Sequence, residues 1–112
     1  MQPESRKLLK DMVDAGTSIV HFVKDKSLHD LKGNDLLRAA IYYKFVVIGE
    51  ALSRLRAQDE PTTQRITENS RIIGFRNQII HGYGTIDDEI TWRIIEQKLP
   101  VLLDELKQLL ER

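Results

Sequence analysis

The chain has 112 residues, of which 41% are hydrophobic, and these values suit a single domain with a modest apolar core. Its 17 lysines and arginines balance 17 aspartates and glutamates, so the net charge of zero excludes the global attraction that many nonspecific nucleic-acid binders use. The absence of cysteine excludes disulfides, thiolate metal sites and cysteine nucleophiles. Because the net charge is zero, any contact with a nucleic acid would have to depend on a local positive surface.

The N-terminus is polar and charged, which is not typical of a signal peptide. No apolar run approaches the roughly 18 residues that a membrane-spanning helix needs. The sequence therefore predicts a soluble, cytoplasmic protein without a membrane partner.

The first predicted helix runs from Pro3 to about Lys26, because hydrophobic residues recur there at helical spacing and proline suits a first turn. Residues 27–34 contain a glycine and short polar residues and are predicted to form a loop. Asn34 or Asp35 can then cap a second helix.

This second, central helix is predicted to extend to about Arg56. Its hydrophobic residues cover about half of the circumference, which is wider than the stripe of a helix with a single neighbour. We therefore expect the central helix to contact several helices, and a second subunit could be among its neighbours.

A third helix is predicted over residues 63–81, after a loop at 59–63 in which a proline disfavours helical geometry for the residue before it. The composition favours an interruption of this helix near Asn69–Ser70 or at Gly74. Gly82 is the residue type that ends a helix in a left-handed conformation.

The C-terminal part is predicted to form two further helices. One begins near Asp87, since carboxylates favour a helix N-terminus, and Pro100 begins or kinks the last, leucine-rich helix. No segment has the alternation that is typical of strands. The sequence therefore predicts an all-α fold, a four- to five-helix up-and-down bundle that forms a single domain over residues 1–112.

An arginine, a histidine and a tyrosine lie close together in the segment Arg76-Asn77-Gln78-Ile79-Ile80-His81-Gly82-Tyr83. Residues five apart on a helix differ by about 140°, so Arg76 and His81 should not share a face. Arg76 falls in the hydrophobic arc of its helix, whereas His81 should lie on the last turn. A partly buried arginine needs an acceptor, and Glu50 on the central helix is the candidate.

Other kinds of catalytic site have weaker support. Three well-separated histidines disfavour a metal centre, and the acidic cluster Asp87-Asp88-Glu89 is more simply a helix start. The chain also lacks a glycine-rich phosphate loop after a strand and a serine nucleophile elbow.

Arg76 and His81 are the residue types that RNA cleavage without a metal requires. Histidine can move a proton near neutral pH, and arginine binds phosphate through a rigid fork. One copy of the motif supplies one imidazole, but a two-fold dimer would bring a base and an acid into one cleft. The purely structural alternative is that Arg76 holds an ion pair, His81 interacts with the helix dipole and Tyr83 packs on the surface.

The chain resembles the HepT-like branch of the HEPN domains, which are small all-α toxins of bacteria and archaea. The resemblance covers residues 5–110 and rests on Arg76-Asn77 followed by His81-Gly82-Tyr83, on Ile48-Gly49-Glu50-Ala51, and on Ile86-Asp87 followed by Ile90 and Trp92. One departure is Gly74-Phe75 before Arg76, where methionine would be expected directly before the arginine.

The resemblance implies a homodimeric toxin of a type II toxin–antitoxin system that cleaves RNA without a metal or other cofactor. Arg76 and His81 would be catalytic, and Asn77 and Glu50 would support them. The implied partner is an MntA-type nucleotidyltransferase antitoxin that transfers AMP from ATP to Tyr83. Two alternatives stay open: a noncatalytic HEPN module that binds nucleotide or docks the nucleotidyltransferase, and a structural helical dimerisation protein.

Overall fold

The computed structural model describes residues 1–112, with Tyr83 described by its backbone only. The α-helices are α1 Pro3–Phe22, α2 Leu28–Lys32, α3 Asp35–Gln58, α4 Glu60–Thr63, α5 Asn69–Gly82, α6 Asp88–Arg93 and α7 Leu99–Leu110. A 3₁₀ turn, Tyr83–Thr85, follows α5, and a π-helical segment, Ile94–Lys98, joins α6 to α7. The predicted all-α fold is confirmed, and none of the described helices is long and apolar enough to cross a membrane.

Helix α3 is the centre of the bundle. Of the two predicted caps, Asn34 and Asp35, it is Asn34 that caps α3, since its side chain accepts a hydrogen bond of 3.0 Å from the backbone N–H of Leu37. Helix α3 packs against both α1 and α5, and α7 packs against α1, so the predicted contact with several helices is confirmed. The fully buried side chains between these helices include Leu9, Met12, Ile19, Ile48, Leu52 and Leu106. Each contributes about 1.5–3 kcal/mol through burial.

Helix α2 lies within the segment that was predicted to be a loop. The Ser27 hydroxyl accepts a hydrogen bond from the backbone N–H of Asp30, and the Asp30 carboxylate accepts one of 2.8 Å from the backbone N–H of Ser27. This capping box is a helix-start signal that outweighs the polar composition. Helix α1 ends at Phe22, so the prediction of Lys26 was too long.

Helix α4 replaces the loop that was predicted at residues 59–63. Asp59 caps it by accepting hydrogen bonds from Thr62, and Pro61 lies in its first turn, where no backbone N–H is needed. Ser5 of α1 also donates to Asp59 at 2.7 Å, and these hydrogen bonds lower the pKa of the Asp59 carboxyl group. The proline therefore starts a helical turn here and does not exclude one.

Helix α5 begins at Asn69, later than the predicted start at residue 63. The break falls at Glu68, whose φ of +56° cannot continue a right-handed helix. The Asn69 side chain donates to the backbone carbonyls of Thr63 and Ile66, which holds the preceding turn. The interruption near residues 69–70 is thus present, whereas Gly74 lies within the continuous helix.

The C-terminal helices begin where the sequence predicts. Asp87 caps α6 by accepting a 2.8 Å hydrogen bond from the backbone N–H of Glu89. Pro100 lies in the first turn of α7, so it begins this helix. The π-helical segment between α6 and α7 has no counterpart in the prediction.

Replacing Arg38 by methionine is expected to lower the free energy of unfolding by about 2–3 kcal/mol, because the two nitrogens that bind the Asp88 carboxylate are lost. The Arg38 Nε and Nη2 atoms lie 3.0 and 2.9 Å from Oδ1 and Oδ2 of Asp88, respectively. Nη2 also donates to the backbone carbonyl of Leu31. The hydrogen bonds to Asp88 raise the pKa of Arg38. Urea denaturation measures the change, and a similar loss in the exposed-site control Arg56→Met would contradict this role for Arg38.

Candidate active site at the end of helix α5

His81 lies on the last turn of α5, as predicted, and its side chain is exposed. The helix ends at Gly82, whose φ of +145° is a conformation that favours glycine. His81 directly precedes this glycine, so the imidazole lies at the end of the helix. His81 is therefore accessible to a ligand.

Arg76 has the carboxylate partner that the sequence predicted. Its Nη1 donates to Oε1 of Glu50, which lies on α3. Only 13% of the Arg76 side chain is exposed, whereas 52% of the Glu50 side chain is exposed. Solvent screens a pair with one exposed partner, so its main effect is to fix the position of the guanidinium and its contribution to stability is small.

Gly49 allows Arg76 to lie where it does. A methyl group added at Gly49 would lie 2.6 Å from Cγ of Arg76 and closer still to its Cβ. Helices α3 and α5 therefore cross at a point where only a residue without a side chain fits. Sequence reasoning did not give Gly49 a role of its own, although a glycine inside a strongly helical segment is a signal, since it costs about 1 kcal/mol relative to alanine.

The Arg76 guanidinium is only partly satisfied. Its Nε atom is buried, and within the described part of the chain it has no hydrogen-bond acceptor. Leaving a buried donor unpaired costs about 1–3 kcal/mol, which is why such groups are rare and call for an explanation. Arg76 is thus held at one nitrogen by Glu50 and retains unused capacity to donate hydrogen bonds.

The structure does not bring all of the predicted site residues together. Arg76 and His81 lie on a continuous helix and diverge by about 140°, and no hydrogen bond connects them among the described residues. Asn77 is exposed on α5. The side chain of Tyr83, the predicted AMP acceptor, lies outside the described part of the chain. Among the predicted site residues, Glu50 and Arg76 are in contact, through their ion pair.

Large hydrophobic side chains are exposed on α3 and α5, the two helices that carry Glu50 and Arg76. Leu36, Tyr43 and Glu50 are spaced seven residues apart, which places them on one stripe of α3. Leu36 is 81% exposed and Tyr43 is 64% exposed. Ile80, one turn after Arg76 on α5, is 54% exposed. A stripe of exposed apolar side chains along a helix is a candidate surface for binding another protein.

Comparisons with known proteins identify the family. The family model described as Ribonuclease HepT-like matches residues 12–109. A Methanocaldococcus jannaschii protein named "Putative RNase MJ1380" is 26% identical over 102 residues, which cover 91% of this chain and 93% of that protein. A Caldanaerobacter subterraneus protein named "Putative RNase TTE0752" is 24% identical over 107 residues, which cover 96% and 95% of the two chains.

No solved structure gave a significant match to this chain. The family model nevertheless covers most of the chain, including α3, α5 and the Arg76–Tyr83 segment. The motif residues, the all-α fold and this match agree. The chain belongs to the HepT-like ribonuclease family.

Proposed function

We propose that this protein is a metal-independent endoribonuclease whose active site combines Arg76 and His81 from two subunits, and that it acts as the toxin of a toxin–antitoxin pair. The observation that carries the proposal is the Arg76 guanidinium, which is nearly buried beside Gly49 and is held by Glu50. Its Nε atom has no acceptor among the described residues, and an exposed histidine lies at the end of the same helix. Membership of a ribonuclease family supports RNA as the substrate.

The proposed reaction is attack by an RNA 2′-hydroxyl on the adjacent phosphorus. One His81 removes the proton of the 2′-hydroxyl, and the O2′–P bond forms as the P–O5′ bond breaks. The other His81 gives a proton to the departing 5′-oxygen, so the products are a 2′,3′-cyclic phosphate and a 5′-hydroxyl. Arg76 stabilises the negative charge on the phosphate oxygens through its rigid set of donors. Asn77, exposed one residue after Arg76, would support substrate orientation.

The divergence of Arg76 and His81 favours a site built from two copies of the chain. Two residues on different sides of one helix cannot both face a phosphate within one subunit, but a two-fold axis can pair each with its symmetry mate. Leu36 and Tyr43 on one stripe of α3, together with Ile80 one turn after Arg76 on α5, offer exposed apolar side chains for such a contact.

Replacing Tyr43 and Ile80 together by aspartate is expected to convert a dimer into a monomer and to abolish cleavage, because two charges would be buried in the proposed interface. Light scattering at micromolar concentration measures the mass. The matched control is Val20→Asp on α1, which removes another exposed hydrophobic side chain and should leave both properties unchanged. A wild-type protein that is monomeric under these conditions would exclude the composite site.

Incubation of the wild-type protein with single-stranded and structured RNAs in EDTA tests the reaction itself. We expect cleavage that leaves a 2′,3′-cyclic phosphate. Among the described residues, no three histidine, aspartate or glutamate side chains are grouped so that they could hold a metal ion. Cleavage that stops in EDTA would overturn metal independence, and a protein inert on all RNAs and harmless on expression would favour the noncatalytic HEPN module.

Tyr83 is the proposed site of neutralisation by an MntA-type nucleotidyltransferase. The partner would join the tyrosine oxygen to the α-phosphate of ATP, with pyrophosphate leaving and the phenolic proton passing to solvent. AMP placed two residues after His81 adds bulk and negative charge where an RNA phosphate must bind. Intact mass after incubation with partner and ATP should rise by whole AMP units and cleavage should fall. The mass of Tyr83→Phe should not rise, whereas the mass of the matched control Tyr43→Phe should rise as that of the wild-type protein does. An equal rise in mass for Tyr83→Phe would refute Tyr83 as the AMP acceptor.

A further inference from the structure

A cavity of about 410 Å³ lies between α5 and the α6–α7 unit, and neither Arg76 nor His81 lines it. We refer to it as the α5–α7 cavity. Its lining is mainly apolar and includes Phe45, Ile48, Phe75, Ile94 and Leu102. Volumes of about 300–1,000 Å³ are typical of pockets that hold a small molecule or a group of comparable size. The cavity therefore has room for a planar ring.

Positive side chains surround this apolar lining. Arg71, Arg93 and Lys98 contribute to the wall together with a single acid, Glu68. Lys98 lies 3.2 Å from the Glu68 carboxylate and is paired with it. Arg71 and Arg93 are exposed, and neither forms an ion pair within the described residues. In a chain with no net charge, these two arginines form a local site for an anion.

The backbone around the α5–α7 cavity is irregular but held in place. Glu68 has a φ of +56°, and the π-helical segment Ile94–Lys98 forms part of the opposite wall. The Glu105 carboxylate accepts hydrogen bonds of 2.9 and 2.6 Å from the backbone N–H and the hydroxyl of Thr67, which fixes the turn before Glu68. Such irregularities occur frequently at functional sites.

We propose that the α5–α7 cavity is a binding site for single-stranded RNA, in which an unpaired base enters the apolar cavity and the flanking phosphates bind Arg71 and Arg93. Proteins that bind single strands without sequence preference combine these two elements, aromatic surfaces for bases and cations for the backbone. The rings of Phe45 and Phe75 lie 5.2 Å apart in an edge-to-face arrangement within the lining. The role of this site in presenting RNA for cleavage rests on the proposed function.

The lining also indicates how the base would be read. Thr67 and Gln97 are its uncharged polar residues, and the Thr67 hydroxyl already donates to Glu105. Few groups therefore remain to read the hydrogen-bonding edge of a base. The site should accept any unpaired base and should discriminate against base-paired RNA.

Binding is tested with a fluorescent oligouridine of about 12 nucleotides in anisotropy titrations, with every protein carrying His81→Ala so that cleavage does not interfere. The Arg71→Gln/Arg93→Gln variant is expected to bind at least about tenfold more weakly, with a slope of log K against log salt that is smaller by about 1.4. The control Arg56→Gln/Arg112→Gln removes the same charge from exposed positions that do not line the cavity. This control should bind the oligouridine as strongly as the protein that carries His81→Ala alone.

A second arm tests the base. An oligonucleotide of the same length without bases keeps the phosphates, and it should bind at least about fivefold more weakly if a base enters the cavity. Val101→Glu, which adds a carboxylate at an exposed position of the lining, should weaken binding of the oligouridine. Equal affinity for the abasic strand would refute entry of a base.

The outcomes separate this site from the proposed enzyme activity. Cleavage is compared in the same arginine variant and control with His81 retained. If the wild-type protein cleaves RNA, and the arginine variant binds and cleaves as its control does, the cavity is not an RNA site. If the wild-type protein does not cleave any RNA, yet binding depends on Arg71 and Arg93, the RNA site stands and the nuclease proposal fails. Binding of an acidic helical peptide with no RNA binding would overturn the choice of RNA as the ligand.

Discussion

Replacing His81 by alanine is expected to lower the rate of RNA cleavage by about 10²- to 10⁴-fold, because the reaction loses both its base and its acid when each subunit contributes this imidazole. The side chain is exposed at the end of α5, so the unfolding free energy should change by no more than about 0.5 kcal/mol. Single-turnover cleavage in EDTA measures the rate, and urea denaturation measures the stability.

His21 and His29 provide the matched controls for this experiment. Both are exposed, one on α1 and the other on α2, and neither lies on α5. Alanine at either position should leave the rate unchanged. If His81→Ala retains wild-type activity, or if all three variants lose activity equally, His81 is not the proton-transfer group.

Replacing Gly49 by alanine is expected to destabilise the protein by about 1–3 kcal/mol, because the added methyl group would overlap the stem of Arg76 and force α3 and α5 apart. Gly74→Ala on α5 is the opposite case, since a methyl group there meets nothing within 4 Å. Alanine at that position should stabilise the helix by about 0.5–1 kcal/mol. Urea denaturation of the two variants measures both changes in the free energy of unfolding, which should have opposite signs.

Replacing Gly49 by alanine should also slow the cleavage of RNA. At a temperature where both variants are folded, Gly49→Ala should cleave more slowly than Gly74→Ala, because Arg76 can no longer lie against α3 with its Nη1 on Glu50. Circular dichroism confirms that each variant is folded under the conditions of the assay. A Gly49→Ala variant that is stabilised to the same degree as Gly74→Ala would contradict the close approach of the two helices.

Local chemistry in the sequence determined several of the helix boundaries, namely the starts of α3, α6 and α7 and the end of α5. Asn34, one of the two predicted caps, caps α3, α6 begins beside Asp87 as predicted, and Gly82 ends α5. These signals are legible because a cap or a helix end involves only a few neighbouring residues. The errors at α2 and α4 are also local, since polar residues and a proline that can break a helix can equally begin one.

The partnership of Glu50 with Arg76 was predicted from a general rule, that a buried arginine requires an acceptor, and the structure contains that ion pair. This rule could not predict the close crossing at Gly49 or the α5–α7 cavity. It also could not predict that Nε of Arg76 has no acceptor within the described part of the chain. These features depend on how α3, α5 and α7 are placed against each other. Residue types and their spacing therefore determined the main helices and the candidate catalytic residues. The packing of helices that are distant in sequence decided which side chains are fixed by a partner, which are exposed, and where a cavity is large enough for a ligand.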